Sequence, residues 1–276
     1  MSNEVFLITG IKGFISTHLY ELIIKKYPNS KIYGTGSNKY FVNDKRKLKK
    51  VSSKEFFYFL NLEKKITILH LATFFSLNDK NKNKIYLSNI QHGKKVIMNL
   101  NPNKITHFVY LNTLFSFSDN FEIKNSYYVK SKNEFSKYLE ETSLNYNFNY
   151  SEIFIDNTFG IKDNRKKLIP LIISEARRNK KLKLKTPNEF INLVHVENVT
   201  SEILECLKST GKKVILVSKY EIKVSEIQEL IFNYINNKNT EFRLTKKLNK
   251  YRKLELDNFE MNEVDLDYKL KFKELC

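Results

Sequence analysis

The pattern that most constrains the fold lies within residues 5–28 and consists of a strand, a glycine turn and a helix. Residues 5–8 form a continuous apolar run, which is typical of a strand buried on both faces of a parallel sheet. Gly10 and Gly13 follow, and apolar residues then recur at helical spacing until Pro28 ends the segment. Glycines at such a turn let the backbone approach a pyrophosphate, which binds at the helix N-terminus. The pattern therefore predicts the first unit of a dinucleotide-binding sheet.

The length and composition allow one large hydrophobic core or two lobes that share a cleft. The chain has 276 residues, of which 41% are hydrophobic. No apolar run approaches the roughly 20 residues of a membrane span and no signal peptide is recognisable, so no membrane partner is expected. Cys206 and Cys276 suggest neither a disulfide framework nor a metal site. We therefore expect a cytoplasmic protein without a bound metal.

The net charge of +18 raises the question of a nucleic-acid partner. The basic residues are spread along the chain and are not concentrated in one arm or helix. Lysine and asparagine are abundant throughout, which is typical of a lysine-rich genome. The pattern therefore predicts no nucleic-acid partner, although a basic cleft would suit a phosphorylated ligand.

The end of the second predicted strand, residues 31–35, bears on the choice of cofactor. In NAD-preferring sheets of this kind, an acidic residue at this position binds the ribose 2′-hydroxyl. Here a small and polar stretch, residues 36–38, is followed by Lys39. Without the acid no carboxylate repels a 2′-phosphate, and Ser37 and Lys39 are able to bind one. The sequence favours NADP(H) over NAD(H), unless the segment is only a polar turn.

Further strands and helices are expected in the first half of the chain. Ser52 and Glu55 form a capping-box pattern, which predicts a helix that extends to about residue 64. Residues 66–72 and 106–111 have the apolar pattern of buried strands, and residues 85–100 have helical periodicity. Strands and helices therefore alternate, as expected for a dinucleotide-binding sheet.

Tyr128 and Lys132 form a Y-x-x-x-K pattern near the start of a predicted helix. Residues at i and i+4 share one helix face, so the ammonium and the phenol are neighbours. A free tyrosine has a pKa of about 10, and a nearby cation lowers that pKa because it stabilises the phenolate. The pattern alone arises by chance in a chain with 16 tyrosines. Tyr127 is the alternative, but Ser131 rather than a lysine lies four residues beyond it.

Several segments, in the correct order, resemble the signatures of one enzyme family. Residues 9–16, TGIKGFIS, resemble TGxxGFIG, and residues 66–72, ITILHLA, resemble VIHLAA; the Tyr128/Lys132 pattern then follows a strand that ends in Thr113. Together they resemble the extended short-chain dehydrogenases/reductases, the NAD-dependent epimerase/dehydratase family of sugar-nucleotide enzymes. The resemblance implies an α/β fold, with a Rossmann-type doubly wound parallel sheet and a smaller C-terminal substrate-binding lobe.

The resemblance also implies a role for each residue of the candidate site. Tyr128 would supply a proton, Lys132 would lower its pKa and bind the nicotinamide ribose, and Thr113 would orient the reacting sugar oxygen. Asn89 would help to organise the catalytic residues. The residues implied to bind the cofactor are Gly10, Lys12, Gly13, Phe14, Ile15, Ser37, Lys39, Leu71 and Ala72, together with Tyr128 and Lys132.

Substrate-binding residues are expected in the second half of the chain. Residues 157–160, NTFG, resemble the family's N-x-Y-G, which makes Asn157 a candidate substrate residue. Residues 166–179 look like the helix that covers the nucleotide sugar, and the alternating residues 181–185 predict an edge strand near the nucleobase and diphosphate. Arg165 and Lys183 are candidate phosphate ligands, with a solvated surface position as the alternative for each.

The expected domains follow from these assignments. Residues 1–156 would form the dinucleotide-binding domain, with residues 191–217 returning to it. Residues 157–190 and 218–276 would form the substrate lobe, which binds a nucleotide sugar as the partner molecule. The sequence leaves a homodimer open.

The residues after Thr113 bear on the reaction. Leu114 and Phe115 stand where the family's 4,6-dehydratases carry an Asp-Glu pair for the elimination of water. The missing pair, the short chain and the missing acid after the second strand favour an NADPH-dependent ketoreductase. It would be similar to the enzymes that reduce C4 of CDP-4-keto-3,6-dideoxyhexoses for surface polysaccharides such as O-antigen. A C4 epimerase with bound NAD is the alternative within the family.

Three positions depart from the family's pattern. Ser16 replaces the third glycine, Phe154 replaces an arginine, and Asn192 replaces an aspartate. These departures leave open a non-catalytic nucleotide-binding protein on the same fold. The intact set of Thr113, Tyr128 and Lys132 argues against that alternative.

Overall fold

The computed structural model describes residues 4–36, 39–44, 47–238, 244–254 and 256–276. The chain divides into two compact units. Unit 1 comprises Met1–Phe154 and Thr200–Val214, and unit 2 comprises Ile155–Val199 and Ile215–Cys276. The assignment of a cofactor domain and a substrate lobe to such units stays a prediction.

Strands and α-helices alternate along much of the described chain. The strands are β1 (Val5–Thr9), β2 (Lys31–Gly36), β3 (Lys39–Asp44), β4 (Lys47–Val51), β5 (Ile66–His70), β6 (Ile105–Thr113), β7 (Asn149–Ile155), β8 (Asn157–Phe159), β9 (Phe190–His195), β10 (Lys213–Ser218), β11 (Tyr220–Lys223), β12 (Lys246–Leu248) and β13 (Phe259–Val264). The helices are α1 (Phe14–Lys26), α2 (Ser53–Leu62), α3 (Lys82–Tyr86), α4 (His92–Met98), α5 (Phe121–Lys124), α6 (Tyr127–Tyr146), α7 (Leu168–Ala176), α8 (Val196–Cys206), α9 (Val224–Ile235) and α10 (Tyr268–Lys273).

The sheet of unit 1 is parallel around its central strand, β1. This strand lies between β2 and β5 and is parallel to both, and β6 is parallel to β5 on the far side. All five side chains of β1 are buried, as the continuous apolar run predicts. Beyond β6 the sheet continues with β7. The strand order reverses at β1, which confirms the predicted doubly wound α/β fold and creates the crevice where ligands bind in such sheets.

Beyond β2 the sheet continues with β3 and β4, which the sequence analysis did not predict. Both pairings are antiparallel. Only two residues, 37–38, separate β2 from β3, whereas a parallel return needs a crossover of about a dozen residues. The short connection therefore permits only an antiparallel pair. The edge strand β4 has the sequence KLKKV, which lacks the apolar run of a buried strand.

The helices of unit 1 begin where local signals place them. The Ser52 hydroxyl accepts a hydrogen bond from the Glu55 N–H group at 3.2 Å, and the Glu55 carboxylate accepts one from the Ser52 N–H group at 3.0 Å. This capping box confirms the predicted start of α2. The helix predicted over residues 85–100 is instead two α-helices, α3 and α4, joined by a π-helical turn at Leu87–Gln91.

Unit 2 contains a small sheet in the order β12, β11, β9 and β8. Its hydrophobic core includes Phe159 and Phe272, whose ring centroids lie 5.2 Å apart, and side chains from α7 and α9. The strand predicted over residues 181–185 is wrong, because this segment has no regular structure. Leu182 packs against the core while its lysine neighbours are exposed, so the alternation reflects side-chain burial without strand pairing.

None of the helices in the described part of the chain combines the length and apolar character that a membrane crossing requires.

Candidate active site

The predicted catalytic residues lie where β6 ends and α6 begins. Thr113 is the last residue of β6, Tyr128 is the second residue of α6, and Lys132 follows one turn later. The Ser126 hydroxyl caps α6, since it accepts a hydrogen bond from the Val129 N–H group at 3.4 Å. The cap sets where the helix starts, so Tyr128 and Lys132 share one face of it, as the spacing predicts.

Tyr128 is buried, with 7% of its surface exposed. The hydroxyls of Thr113 and Thr73 lie beside its phenol, and the Phe75 ring meets its ring edge-on at 4.9 Å between centroids. Burial raises the pKa of Tyr128 to about 12, while the two threonine hydroxyls act to lower it. The structure thus brings Thr113 and Tyr128 together. Thr73 was missed, because a single threonine after an apolar strand carries no signal in the sequence.

Lys132 is also buried, with 4% of its surface exposed. Its ammonium donates a hydrogen bond to the Leu111 carbonyl at 2.7 Å and lies 4.7 Å from the centroid of the Tyr110 ring. Burial lowers the pKa of Lys132 to about 7, and the nearby Glu152 carboxylate opposes that shift. The predicted effect of Lys132 on the pKa of Tyr128 stays a prediction, since the lowering seen at Tyr128 comes from the threonine hydroxyls.

A buried acid supports the strand end that carries Thr113. The Asn112 side-chain amide donates to the Glu152 carboxylate at 2.6 Å, and the Asn112 side-chain oxygen accepts from the Thr113 N–H group at 2.7 Å. Burial raises the pKa of Glu152. The sequence analysis missed this pair, although a glutamate directly before the apolar end of strand β7 is a usable signal, because a buried acid needs a partner.

Asn89 lies in the π-helical turn between α3 and α4 and is fully buried. Its side-chain oxygen accepts from the Phe74 N–H group at 2.7 Å, and its amide donates to the Ser131 hydroxyl at 3.1 Å. The Ser131 hydroxyl in turn donates to the Tyr128 carbonyl at 2.6 Å. Asn89 therefore joins the segment after β5 to the helix that carries Tyr128, and its organising role in catalysis stays a prediction.

The turn after β1 has the geometry of a pyrophosphate cradle. Gly10 has φ +68°, and a Cβ there would lie 2.9 Å from the Ala72 Cα, so only glycine fits. The Thr9 hydroxyl accepts from the N–H groups of Leu71 and Ala72 at 3.1 Å each, which holds the ends of β1 and β5 together. Gly13 precedes α1, whose N-terminus has neither a side-chain cap nor an acidic residue in its first turn. These features fit the diphosphate of a dinucleotide.

The other predicted cofactor residues that the structure describes follow this turn in the chain or begin β3. Phe14 and Ile15 form the first turn of α1 and are half-buried. Lys12 is exposed, with its ammonium 5.0 Å from the centroid of the Phe41 ring. Lys39 is exposed at the start of β3, and Ser37 lies outside the described residues. Their roles in cofactor binding stay predictions.

Burial explains the residues at two positions near this turn, Ser16 and His70. Ser16 is 1% exposed, so a serine fits beneath the turn where the family's pattern has glycine. His70 is fully buried, and its Nδ1 lies 3.0 Å from the Thr9 hydroxyl. Burial holds the pKa of His70 well below its usual value, so the imidazole is neutral and structural.

The predicted substrate residues lie in unit 2. Asn157 is exposed, and its amide donates to the Asp156 carboxylate at 2.8 Å. The Arg165 guanidinium donates to the Asp163 carboxylate at 2.7 Å and to the Thr158 carbonyl at 2.8 Å. A phosphate at Arg165 would therefore share that guanidinium with Asp163. Lys183 is exposed in the irregular segment after α7; all three assignments stay predictions.

Comparison with protein families identifies a family for this chain. The sequence profile described as "NAD dependent epimerase/dehydratase family" matches residues 6–218. Comparison with curated protein sequences gave no match.

Three solved structures illustrate the similarity in fold. UDP-glucose 4-epimerase from Thermotoga maritima, with UDP-glucose, has a TM-score of 0.71 at 14% identity, covering 98% of this chain and 96% of that one. The enzyme WbmH from Bordetella bronchiseptica, in complex with NAD+, has a TM-score of 0.65 at 17% identity, covering 96% and 87%. The capsular polysaccharide assembling protein CapF from Staphylococcus aureus has a TM-score of 0.61 at 18% identity, covering 84% of this chain but only 58% of CapF. This chain therefore spans less than two thirds of the length of CapF.

Proposed function

Because the chain belongs to the NAD-dependent epimerase/dehydratase family, we propose that it reduces the C4 ketone of a nucleotide-linked 4-keto-deoxyhexose with NADPH. The observation that supports this proposal best is the placement of the Thr113 and Tyr128 hydroxyls side by side, where β6 ends and α6 begins. A ketone that becomes an alcohol needs one group to hold its oxygen and another to protonate it. The two hydroxyls supply both functions.

The chain's own residues would act as follows. NADPH, when bound, supplies the hydride that adds to C4. Thr113 donates a hydrogen bond to the ketone oxygen, and Tyr128 transfers its phenolic proton to the same oxygen, so that the carbonyl becomes an alcohol and the tyrosine becomes a phenolate. A proton from solvent then restores Tyr128. Lys132, one turn away, supplies positive charge near the phenolate whenever its ammonium is protonated.

The residues after Thr113 support reduction over dehydration. Elimination of water needs a general acid and a general base beside the sugar. Leu114 is fully buried, and the Phe115 ring lies 6.1 Å from that of Phe75, so apolar side chains occupy these positions.

Nucleotide-sugar C4 epimerisation with bound NAD is the second candidate. It is favoured by the similarity in fold to the Thermotoga maritima UDP-glucose 4-epimerase over nearly the full length of both chains, and by the NAD+ in the WbmH complex. An epimerase oxidises and re-reduces the same carbon, so it needs no added reductant. A ketoreductase consumes one NADPH for each ketone reduced.

The test uses a panel of nucleotide 4-ketosugars and UDP-sugars, with absorbance of the reduced nicotinamide as one readout and chromatography of the sugars as the other. Ketoreduction predicts NADPH consumption that depends on the ketosugar. Epimerisation predicts interconversion of UDP-sugars without added cofactor. If the protein shows neither activity but still binds the nucleotide, the result would favour the non-catalytic alternative.

Two matched variants test the role of Tyr128. Tyr128→Phe keeps the ring and removes the proton donor, so turnover should fall by about 10²–10⁴-fold while NADPH binding survives. Tyr127→Phe removes a hydroxyl from the neighbouring tyrosine and should leave turnover unchanged. Wild-type turnover in Tyr128→Phe would contradict the mechanism.

The choice of NADPH follows from the missing acid after β2. Lys39 is exposed at the start of β3, where a cation would attract a 2′-phosphate. Lys39→Glu should therefore abolish the preference for NADPH in calorimetric titrations with both cofactors. Tighter binding of NADH by the wild-type protein would overturn this part of the proposal. The reduced nucleotide sugar would serve in the synthesis of deoxysugars for surface polysaccharides.

A further inference from the structure

The strand end that carries Thr113 extends beyond the neighbouring strand β5. Residues 111–113 of β6 follow the last residue that is paired with β5. Side chains hold this segment. The Lys132 ammonium donates to the Leu111 carbonyl at 2.7 Å, and the Asn112 side-chain oxygen accepts from the Thr113 N–H group at 2.7 Å. The position of Thr113 therefore depends on how the Asn112 side chain is oriented.

Glu152 holds the other side of the Asn112 amide. An amide side chain has an oxygen that accepts hydrogen bonds and a nitrogen that donates them, whereas the Thr113 N–H group can only donate. The Asn112 oxygen therefore faces Thr113, and its nitrogen donates to a Glu152 oxygen at 2.6 Å. That oxygen accepts whether the acid is ionised or neutral. Asn112 and Glu152 are only 3% and 1% exposed, so little solvent can replace either partner.

Both ends of this chain of contacts are anchored. The Glu152 N–H group donates to the Lys212 carbonyl at 2.8 Å, and β7 is hydrogen-bonded to β6. At the other end, the Thr113 hydroxyl accepts from the Phe115 N–H group at 3.3 Å, an arrangement that keeps its own proton for an acceptor such as a ketone oxygen. The contacts thus run without a break from a buried acid in β7 to the candidate site.

We propose that Glu152 is a positioning residue for the reduction, because it fixes the Asn112 side chain and thereby holds Thr113 in place for the ketone oxygen. This inference rests on the proposed function. Glu152 acts through Asn112, without contact to the substrate. Without the acceptor at Glu152 the Asn112 amide could turn and the Thr113 backbone could move, and a small displacement of a group that orients a substrate lowers turnover strongly.

Other ionisable groups lie close enough to Glu152 to interact with its charge. They are Tyr110 on β6, Tyr150 on β7, Lys132 on α6 and Lys213. Loss of the Glu152 carboxylate would therefore act on Lys132 as well as on the contact with Asn112. The test has to separate these two effects.

Two uncharged replacements separate the contact from the charge. Glu152→Gln keeps a side-chain oxygen that can accept from Asn112, whereas Glu152→Met has a similar length and lacks that oxygen; Glu152→Ala takes its place if it does not fold. Any effect through the charge on Lys132 is common to these variants. Each is repeated in an Asn112→Ala background, where no amide remains to be positioned. Ser151→Ala is the structural control, because it removes the 2.8 Å hydrogen bond to His107, which joins the same two strands nearer the start of β6.

Hydrogen exchange of the Thr113 amide, measured by NMR without substrate, reports how firmly its N–H group is held. We expect this amide to exchange about tenfold faster in Glu152→Met than in Glu152→Gln, since the Asn112 side chain is released on one side. In the Asn112→Ala background the two variants should agree within about twofold. Equal exchange in the two variants with Asn112 present, or a difference that persists without Asn112, would overturn the proposal.

Turnover gives the functional readout. Glu152→Met should have a kcat about tenfold below that of Glu152→Gln, with little difference in NADPH affinity, whereas Ser151→Ala should lower the Tm and keep the wild-type kcat. Equal kcat values in the two Glu152 variants would refute the positioning role. So would a Ser151→Ala variant that loses as much kcat as Glu152→Met, because any loosening of these strands would then suffice. If the wild-type protein reduces no nucleotide sugar while exchange at Thr113 changes as expected, the proposed function fails and the control of Thr113 by Glu152 stands.

Discussion

Substitution of Gly93 by alanine tests how closely two helices pack beside Tyr128, the proposed proton donor. Gly93 lies in α4, one turn after Asn89, and faces Phe135 in α6, one turn after Ser131. The Asn89–Ser131 hydrogen bond of 3.1 Å therefore lies directly beside this contact along both helices. A wider separation at Gly93 would act on that hydrogen bond.

The structure gives the size of the perturbation. A Cβ at Gly93 would lie 2.1 Å from the Cζ atom of Phe135 and 2.9 Å from the Cε1 atom of His70. Ordinary contact begins at 3.4 Å, so the Phe135 ring must move by about 1.3 Å. That ring is fully buried against the rings of Phe108 and Tyr110, so it has no free space to enter.

The expected free-energy change is the balance of two effects. Alanine stabilises a helix interior by about 1 kcal/mol relative to glycine. Overpacking of a filled core costs about 1–3 kcal/mol, and the 2.1 Å approach places this site at the upper end of that range. We therefore expect Gly93→Ala to lower the free energy of unfolding by about 2 kcal/mol.

Urea unfolding followed by circular dichroism measures this change. Gly36→Ala is the matched control, because the nearest atom to its Cβ is 3.9 Å away and no overpacking arises. Phe135→Leu shortens the opposing side chain, so the double variant Gly93→Ala/Phe135→Leu should be more stable than the sum of the two single effects predicts, by about 1 kcal/mol or more. Strict additivity, or a Gly93→Ala variant as stable as the wild type, would refute the packing argument.

Three further outcomes are expected from the titratable groups and the glycine turn. Glu152→Gln should lower the pKa of Lys132 below its value of about 7, because the anion that opposes the effect of burial is removed; carbon NMR of labelled lysine measures this, and an unchanged pKa would contradict it. Burial raises the pKa of Asp156 from 3.8 to about 6, so the folded state holds that proton more tightly and stability falls as pH rises between these values. The free energy of unfolding of Asp156→Asn, relative to that of the wild type, should accordingly increase from pH 3.8 to about 6 and then level off. A difference that does not depend on pH would contradict the raised pKa of Asp156. Ser16→Gly should leave NADPH affinity within about tenfold of wild type, and complete loss of binding in calorimetry would identify Ser16 as a required phosphate ligand.

The features that sequence analysis identified correctly are encoded locally. The apolar run of β1, the capping box of α2 and the spacing of Tyr128 and Lys132 each depend on residues within one or two turns of chain. In such segments the neighbouring side chains fix the backbone geometry, so pattern and structure agree.

The features that were missed depend on partners far away in the chain. Asn112 and Glu152 are 40 residues apart, and the phenol of Tyr128 meets Thr73 from a different strand end. No local pattern pairs such residues, because only the folded sheet brings them together. The error at residues 181–185 has the opposite origin, since alternation reports which side chains are buried and not whether the backbone finds a partner strand.

The lysines of β4 bear on how this protein behaves in concentrated solution. β4 is an edge strand, so its outer backbone groups form a template to which another chain could add. Lys47, Lys49 and Lys50 are exposed along it, and like charges on two approaching copies oppose such pairing. This protection is electrostatic, and the screening length falls from about 10 Å at 0.1 M salt to about 3 Å at 1 M. Raising the ionic strength should therefore weaken the protection of β4 and favour self-association through this strand.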